Sequence, residues 1–265
     1  MNPEPDTSPV RLTREGPIAR LTLNRAAKKN AANARMWRAI ADLTGEARRM
    51  EGLRVLIVSG EGDSFAAGAD IAEMGALIGD EAGAADYAAT FSRAMQAVAD
   101  FPHPVLAMIR GACIGGGCGL ALACDYRFAD TTAKLGVTPA KLGLLYTVDD
   151  TKRLIDAVGV SRAKSMLFTA SVYDAADAKA FGLVDEVIAP EALEEAVTAH
   201  ADRIASLSPF TITAMKRFVK QAQARGEDEE SRRAFAKAFA GPSFAEGFLA
   251  FKERRAPQFS EEQES

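Results

Sequence analysis

Histidine, cysteine and the larger aromatics are scarce in this chain. Its 265 residues include two histidines, three cysteines, one tryptophan and four tyrosines. Two histidines leave little material for a histidine-based triad or a zinc centre. His103 stands between two prolines, and His200 falls on a helix beside Val197 and Ile204, so neither is a strong catalytic candidate. Cys113, Cys118 and Cys124 all lie in one apolar stretch. An odd, clustered count argues against a disulfide framework, and the C-x4-C-x5-C spacing is not a zinc pattern. These cysteines read as buried thiols of a protein from a reducing compartment. Positive charge is not in excess either: the formal net charge is −4 and the lysines and arginines are scattered. That speaks against a nucleic-acid partner. No apolar run approaches the roughly 20 residues of a membrane span. The opening MNPEPDTSPV lacks the apolar core of a signal peptide. A cytoplasmic protein without a membrane partner is expected.

What is present is ordinary globular material, 48% hydrophobic and 26% charged, enough for one large domain or two small ones. Residues 10–12 and 18–23 read as two strands around the Glu15-Gly16-Pro17 turn. A helix follows with Met36, Trp37, Ile40, Leu43 and Met50 on one face. Residues 55–58 and 105–109 are continuous apolar runs, the pattern of strands buried on both faces. Residues 84–99 read as a helix, residues 120–124 as a short apolar helix and residues 126–129 as another strand. Strands alternating with helices predict an α/β fold with a largely parallel sheet. Beyond about residue 200 helices dominate. The phenylalanines 235, 239, 244, 248 and 251 predict either core packing of the C-terminal helices or contact with a neighbouring subunit.

The motif of greatest interest is Gly115-Gly116-Gly117-Cys118-Gly119, which follows a strand and opens a helix. It is not a dinucleotide fingerprint. The third glycine falls out of register, and no acidic residue stands about 20 positions on. It is not a phosphate-binding P-loop, since no Gly-Lys-Ser/Thr follows, and no G-x-S-x-G elbow occurs. What remains is a set of uncovered amides at a helix N-terminus, a place that favours negative charge. If a second loop aims another N–H at the same point, the pair forms an oxyanion hole, in which one donor is worth about 3 kcal/mol. The candidate second loop is Phe65-Ala66-Ala67-Gly68-Ala69-Asp70.

Taken together, the loops are specific. FAAGADIAEM (65–74) and GACIGGGCGLALACDYRFA (111–129) resemble the two oxyanion-hole motifs of the crotonase, or enoyl-CoA hydratase/isomerase, superfamily. LTLNRAAKKNAAN, FGLVDEVI (181–188) and EGFLAFKERRAPQF (246–259) extend the resemblance over nearly the whole chain. It implies a spiral of ββα units over residues 1–200, carrying the acyl-CoA site, and a helical oligomerisation region over 201–265. It implies a homotrimer or a hexamer built as a dimer of trimers. It implies no cofactor other than the coenzyme A of the thioester substrate. By motif, the thioester oxygen is held by the amides of Ala67 and Gly116. Residues Ala67, Gly68, Ala69 and Asp70 line the coenzyme A arm, and Lys29 and Arg254 meet its nucleotide end, where a guanidinium suits phosphate.

One departure bears on the reaction. Hydratases of this superfamily use two glutamates for general acid–base work on the substrate. Their positions here are Gly119 and Ala140, which transfer no protons. The segment TPAKLGLLY (138–146) resembles instead the branch that decarboxylates methylmalonyl-CoA. Tyr146 is then the candidate to orient a carboxylate or supply a proton, with Asp149 and Asp150 as alternative carboxylates. Three readings stand at this stage: a decarboxylating enzyme that forms a thioester enolate; a hydratase or isomerase working through Tyr146, Asp149 or Asp150; and a non-catalytic acyl-CoA-binding protein.

Overall fold

The computed structural model describes residues 8–224 and 226–259. The chain opens with an antiparallel hairpin, β1 (Val10–Glu15) and β2 (Ile18–Leu23), turned at Gly16 with φ +54°. In β2 the residues alternate, so that Ala19, Leu21 and Leu23 are buried. Helix α1 (Ala34–Arg48) starts at Asn33, whose side chain accepts from the Met36 amide at 3.0 Å. This is a standard cap for an otherwise orphaned N–H. Then come β3 (Val55–Gly60), the short α2 (Ile71–Gly75), α3 (Glu81–Ala99) and β4 (Val105–Ile109).

From β4 the chain winds as a spiral. It places β4 in a large sheet, β5 (Ala112–Ile114) in a small one, and then α4 (Gly116–Ala123). The next turn gives β6 (Tyr126–Asp130) to the large sheet and β7 (Lys134–Gly136) to the small one, followed by α5 (Val148–Thr169). The third gives β8 (Val172–Asp174) to the small sheet, then α6 (Ala175–Ala180) and β9 (Glu186–Ile188) in the large sheet. The large sheet runs β1-β2-β3-β4-β6-β9 and the small one β5-β7-β8. All pairings from β2 to β9 in the large sheet are parallel. The expected α/β architecture of ββα units is therefore observed.

The unbroken apolar runs are explained by two cores, one on each face of the large sheet. Leu56, Val58, Val105 and Ala107 face the main core under α1 and α3. Val55, Ile57, Leu106 and Met108 face a smaller one closed by α7 (Leu193–Ala205) through Leu193, Val197 and Ala201. Helix α7 thus crosses residue 200 and covers the sheet.

Helices α8 (Pro209–Ala224), α9 (Glu229–Ala238) and α10 (Pro242–Glu253) follow. They are tied to the core by polar links: Lys216 to Asp125 at 2.5 Å, and Arg54 to the carbonyl of Phe259, beyond α10, at 3.0 Å. The tail phenylalanines do not enter the core. Phe235, Phe239 and Phe244 pack ring on ring at 5.4 and 5.7 Å, and all five stay at least half exposed, Phe251 at 83%. The core-packing expectation is corrected: these rings stay outside the core, and Phe248 also carries Lys252 over its face at 5.8 Å. No helix among the described residues is long and apolar enough to cross a membrane, and no cluster of three or more metal-ligating side chains occurs among them.

Candidate active site

Two loops form the site, and the partners that clamp them decide which amides are free. Residues 65–70 are held from both sides. On one side Phe65 and Ala66 donate to the carbonyls of Arg110 (2.7 Å) and Ala112 (2.8 Å), and Ile114 donates back to Ala66 at 3.0 Å. On the other stands the turn after β2. Lys29 and Asn30 both take left-handed φ values there, 48° and 54°. This unusual geometry for non-glycine residues aims the Lys29 carbonyl at the Ala67 amide, which donates to it at 2.9 Å. Ala32 donates to Gly68 at 2.7 Å, and Asp70 donates to Ala32 at 2.9 Å.

Side chains lock the same turn. Asn30 is fully buried. Its amide donates to the carbonyls of Ser64 (2.7 Å) and Glu61 (3.0 Å), while its oxygen accepts from the Arg25 amide at 2.8 Å. Arg25 also reaches the Ala31 carbonyl at 2.8 Å and the Asp70 carboxylate at 2.7 Å. Asp70 caps α2 through Ala72 as well. The Arg25 hydrogen bond, and secondarily the Ala72 amide, outweigh partial desolvation and hold its carboxyl below the usual range.

The expectation for Ala67 is therefore corrected, because its N–H is spent on Lys29. Of the amides from Ala66 to Asp70, those of Gly68 and Ala69 have no acceptor among the described residues. Gly68 is buried and Ala69 is partly exposed, so Ala69 offers the N–H that a ligand can reach. Both oxygens of Asp70 are engaged within the protein, where they hold the loop.

The second loop is set by its glycines. Gly115 has φ +54° and donates to Gly136 at 2.8 Å, and α4 starts at Gly116 with no side-chain cap. A Cβ on Gly117 would stand 2.4 Å from the Ala66 carbonyl oxygen, so only glycine lets the two loops meet. In the first turn of α4, Gly117 and Cys118 are buried while Gly116 is partly exposed. The Gly116 amide, at the positive end of a helix, matches that of Ala69.

Beyond the loops lies Gly119. A Cβ there would find Tyr146 Oη at 3.1 Å and the Asp150 carboxylate at 3.6 Å. The Tyr146 hydroxyl is buried and has no hydrogen-bond partner among the described residues. Burial, then the neighbouring Cys118 and Asp150, push its pKa well up, so it stays protonated and acts as a donor. Asp150 is buried and Asp149 is exposed. Asp149 faces the groove between α5 and α8, with Lys152 and Lys216. Of the two candidate carboxylates, only Asp150 reaches the site. Ala140 is exposed in a 3-10 turn (Pro139–Leu142).

Lys29 and Arg254 are both exposed, and neither forms an ion pair among the described residues. Arg254 sits at the left-handed C-cap of α10. A groove of about 1240 Å3 lies under α8, and its lining includes none of Ala69, Gly116 or Tyr146. The three cysteines are buried and free, as expected. His200 stacks on Tyr126 at 5.0 Å and His103 packs edge-on against Phe101 at 5.8 Å.

This arrangement of sheet, spiral and paired loops is shared widely. The enoyl-CoA hydratase/isomerase family model matches residues 13–263, and the chain belongs to that family. It is 34% identical over 252 residues to crotonyl-CoA hydratase of Syntrophomonas wolfei, covering 94% of this chain and 96% of that one. It is 33% identical over 264 residues to (E)-benzylidenesuccinyl-CoA hydratase of Thauera aromatica, covering 95% and 98%. Among solved structures, an enoyl-CoA hydratase/carnithine racemase from Magnetospirillum magneticum superposes with a TM-score of 0.92 at 32% identity, covering 96% of each chain. The chain is thus an acyl-CoA enzyme of the hydratase/isomerase class.

Proposed function

We propose that this enzyme forms a thioester enolate by decarboxylating an acyl-CoA that carries a carboxylate on its α-carbon, as methylmalonyl-CoA does. The observation that carries this reading is the Tyr146 hydroxyl: buried, without a protein partner, and next to a glycine where a hydratase needs a carboxylate. A buried donor left unmatched costs about 1–3 kcal/mol. A substrate oxygen in that place removes the cost.

In this reading the thioester oxygen accepts from the Ala69 and Gly116 amides. Tyr146 donates to the substrate carboxylate and orients it. The bond between the α-carbon and the carboxylate breaks, its electron pair enters the thioester, and CO2 leaves. The resulting enolate oxygen is held by the two amides, each worth about 3 kcal/mol to the transition state. The α-carbon then takes a proton from water. No ionisable side chain at positions 119 or 140 is needed. Lys29 and Arg254 hold phosphates of the coenzyme A arm, and the exposed phenylalanines of α9 and α10 join chains into a trimer or a pair of trimers.

The test is direct: methylmalonyl-CoA or malonyl-CoA is supplied and CO2 is measured, with crotonyl-CoA hydration assayed alongside. CO2 release with weak hydration supports the reading. Efficient hydration without CO2 overturns it in favour of a second reading, hydration through Asp150, which the names of the relatives and the burial of Asp150 beside Gly119 support.

A further inference from the structure

Asp150 is a carboxylate with 1% of its side chain exposed, and its two oxygens have separate donors. Oδ1 takes Arg153 at 2.7 Å and Oδ2 takes the Thr147 hydroxyl at 2.8 Å. Thr147 in turn accepts the Asp150 amide at 3.1 Å, capping α5. Arg153 reaches on to Gln96 of α3 at 3.4 Å. The charges that act on the Tyr146 hydroxyl come from Cys118 of α4, Asp150, Cys113 of β5 and Arg153. On its outer side Arg153 lines the groove under α8 with Asp149, Lys152, Asp156 and Lys220. Arg153 is the cation bonded to the Asp150 carboxylate. Buried ion pairs are a poor source of stability, because desolvation consumes most of the attraction. A pair kept at the wall of a reaction site is better explained by what it does to that site.

We propose that Asp150 and Arg153 form a charge-balanced positioning pair that lets the site accept an acyl group bearing its own carboxylate. The inference rests on the decarboxylation reading above. Without Arg153, Asp150 is a bare anion within van der Waals reach of position 119 and beside the hydroxyl that receives the substrate carboxylate. Two like charges in so dry a place repel strongly. With Arg153, the wall is neutral and the Tyr146 hydroxyl supplies the attraction. The pair touches no reacting atom and acts through the charge it presents.

The probes are two unreactive or poorly reactive thioesters: 2-sulfonatopropionyl-CoA, which stays ionised at every working pH, and propionyl-CoA, which is neutral. Their dissociation constants are measured by calorimetry near neutral pH, and the quantity read is the ratio of the two. The wild-type ratio is expected to favour the sulfonate. In Arg153→Met, Asp150 loses its cationic partner, and the ratio shifts at least tenfold against the sulfonate. Arg153→Lys restores the wild-type ratio. Asp150→Asn, which keeps the shape and leaves Arg153 unopposed, shifts the ratio towards the sulfonate, so a second variant stands if Arg153→Met does not fold. An unchanged ratio in Arg153→Met, with both ligands weakened alike, shows a merely structural pair and overturns the proposal. Wild-type protein that favours propionyl-CoA and releases no CO2 from methylmalonyl-CoA instead overturns the reading on which the proposal rests.

Discussion

The Ala67 amide donates to the Lys29 carbonyl at 2.9 Å, and two residues further on the Ala69 amide has no acceptor among the described residues. This relationship selects the donor of the first loop. It depends on Lys29 and Asn30 both adopting left-handed backbone, which turns the Lys29 carbonyl into the loop.

Tyr146→Phe removes the unpartnered hydroxyl. Turnover should fall about 10²-fold, the scale for one lost donor in a dry site. Stability should hold or rise by about 1 kcal/mol, because a buried polar group without a protein partner is lost. Steady-state kinetics and urea unfolding check the two halves; unchanged turnover contradicts the role of Tyr146.

Gly117→Ala should fail where Gly45→Ala succeeds. The new methyl at 117 meets the Ala66 carbonyl and Cβ at 2.4 and 2.7 Å, and forced overpacking costs about 1–3 kcal/mol. It also pushes the two loops apart, so activity should collapse. At Gly45, inside α1, nothing stands nearer than 3.9 Å, and about 0.5–1 kcal/mol of stabilisation is expected. Thermal melting of both variants checks the contrast.

Gly119→Glu should not create a hydratase. Its Cβ already lies 3.1 Å from Tyr146 Oη and 3.6 Å from the Asp150 carboxylate, so the new carboxyl is crowded and faces a like charge. Crotonyl-CoA hydration should stay at the wild-type level. A large gain would show that only this side chain separates the chain from its hydratase relatives.

Asp70 should make the fold acid-sensitive. Its carboxyl is held below its ordinary value of 3.8, chiefly by Arg25. Such a group stabilises the fold at pH above its unfolded pKa. That contribution is lost as pH falls through the lower folded value. Asp70→Asn should therefore be less stable than wild type near neutrality and converge on it in acid. Parallel stability curves across that range would exclude the ion pair as the cause.

Much of this was readable in the residues. The strands β3 and β4 announced themselves because sheets covered on both faces carry unbroken apolar runs. The two small-residue loops were visible because close backbone approach needs glycine and alanine. The three-residue strands β5, β7 and β8 are too short to show a period. The choice between Ala67 and Ala69 was hidden, since it is made by a turn nearly 40 residues earlier in the chain. The choice between Asp149 and Asp150 was closer to hand. Asp150 and Leu154 lie one helical turn apart and are both buried, so the phase of α5 marks Asp150 as the inward residue. Asn30 and Arg25 were missed because they bond to carbonyls and a carboxylate more than 30 residues away, at Glu61, Ser64 and Asp70, which no local pattern encodes. Arg153 was legible, since it pairs with Asp150 three residues earlier on α5.

The most direct measurement is a crystal structure with 2-sulfonatopropionyl-CoA bound. The thioester oxygen should lie about 3 Å from the amide nitrogens of both Ala69 and Gly116, with the sulfonate on Tyr146 Oη and the Lys29–Ala67 bond intact. A thioester oxygen bound to the Ala67 amide, or one that engages neither loop, would contradict the site described here.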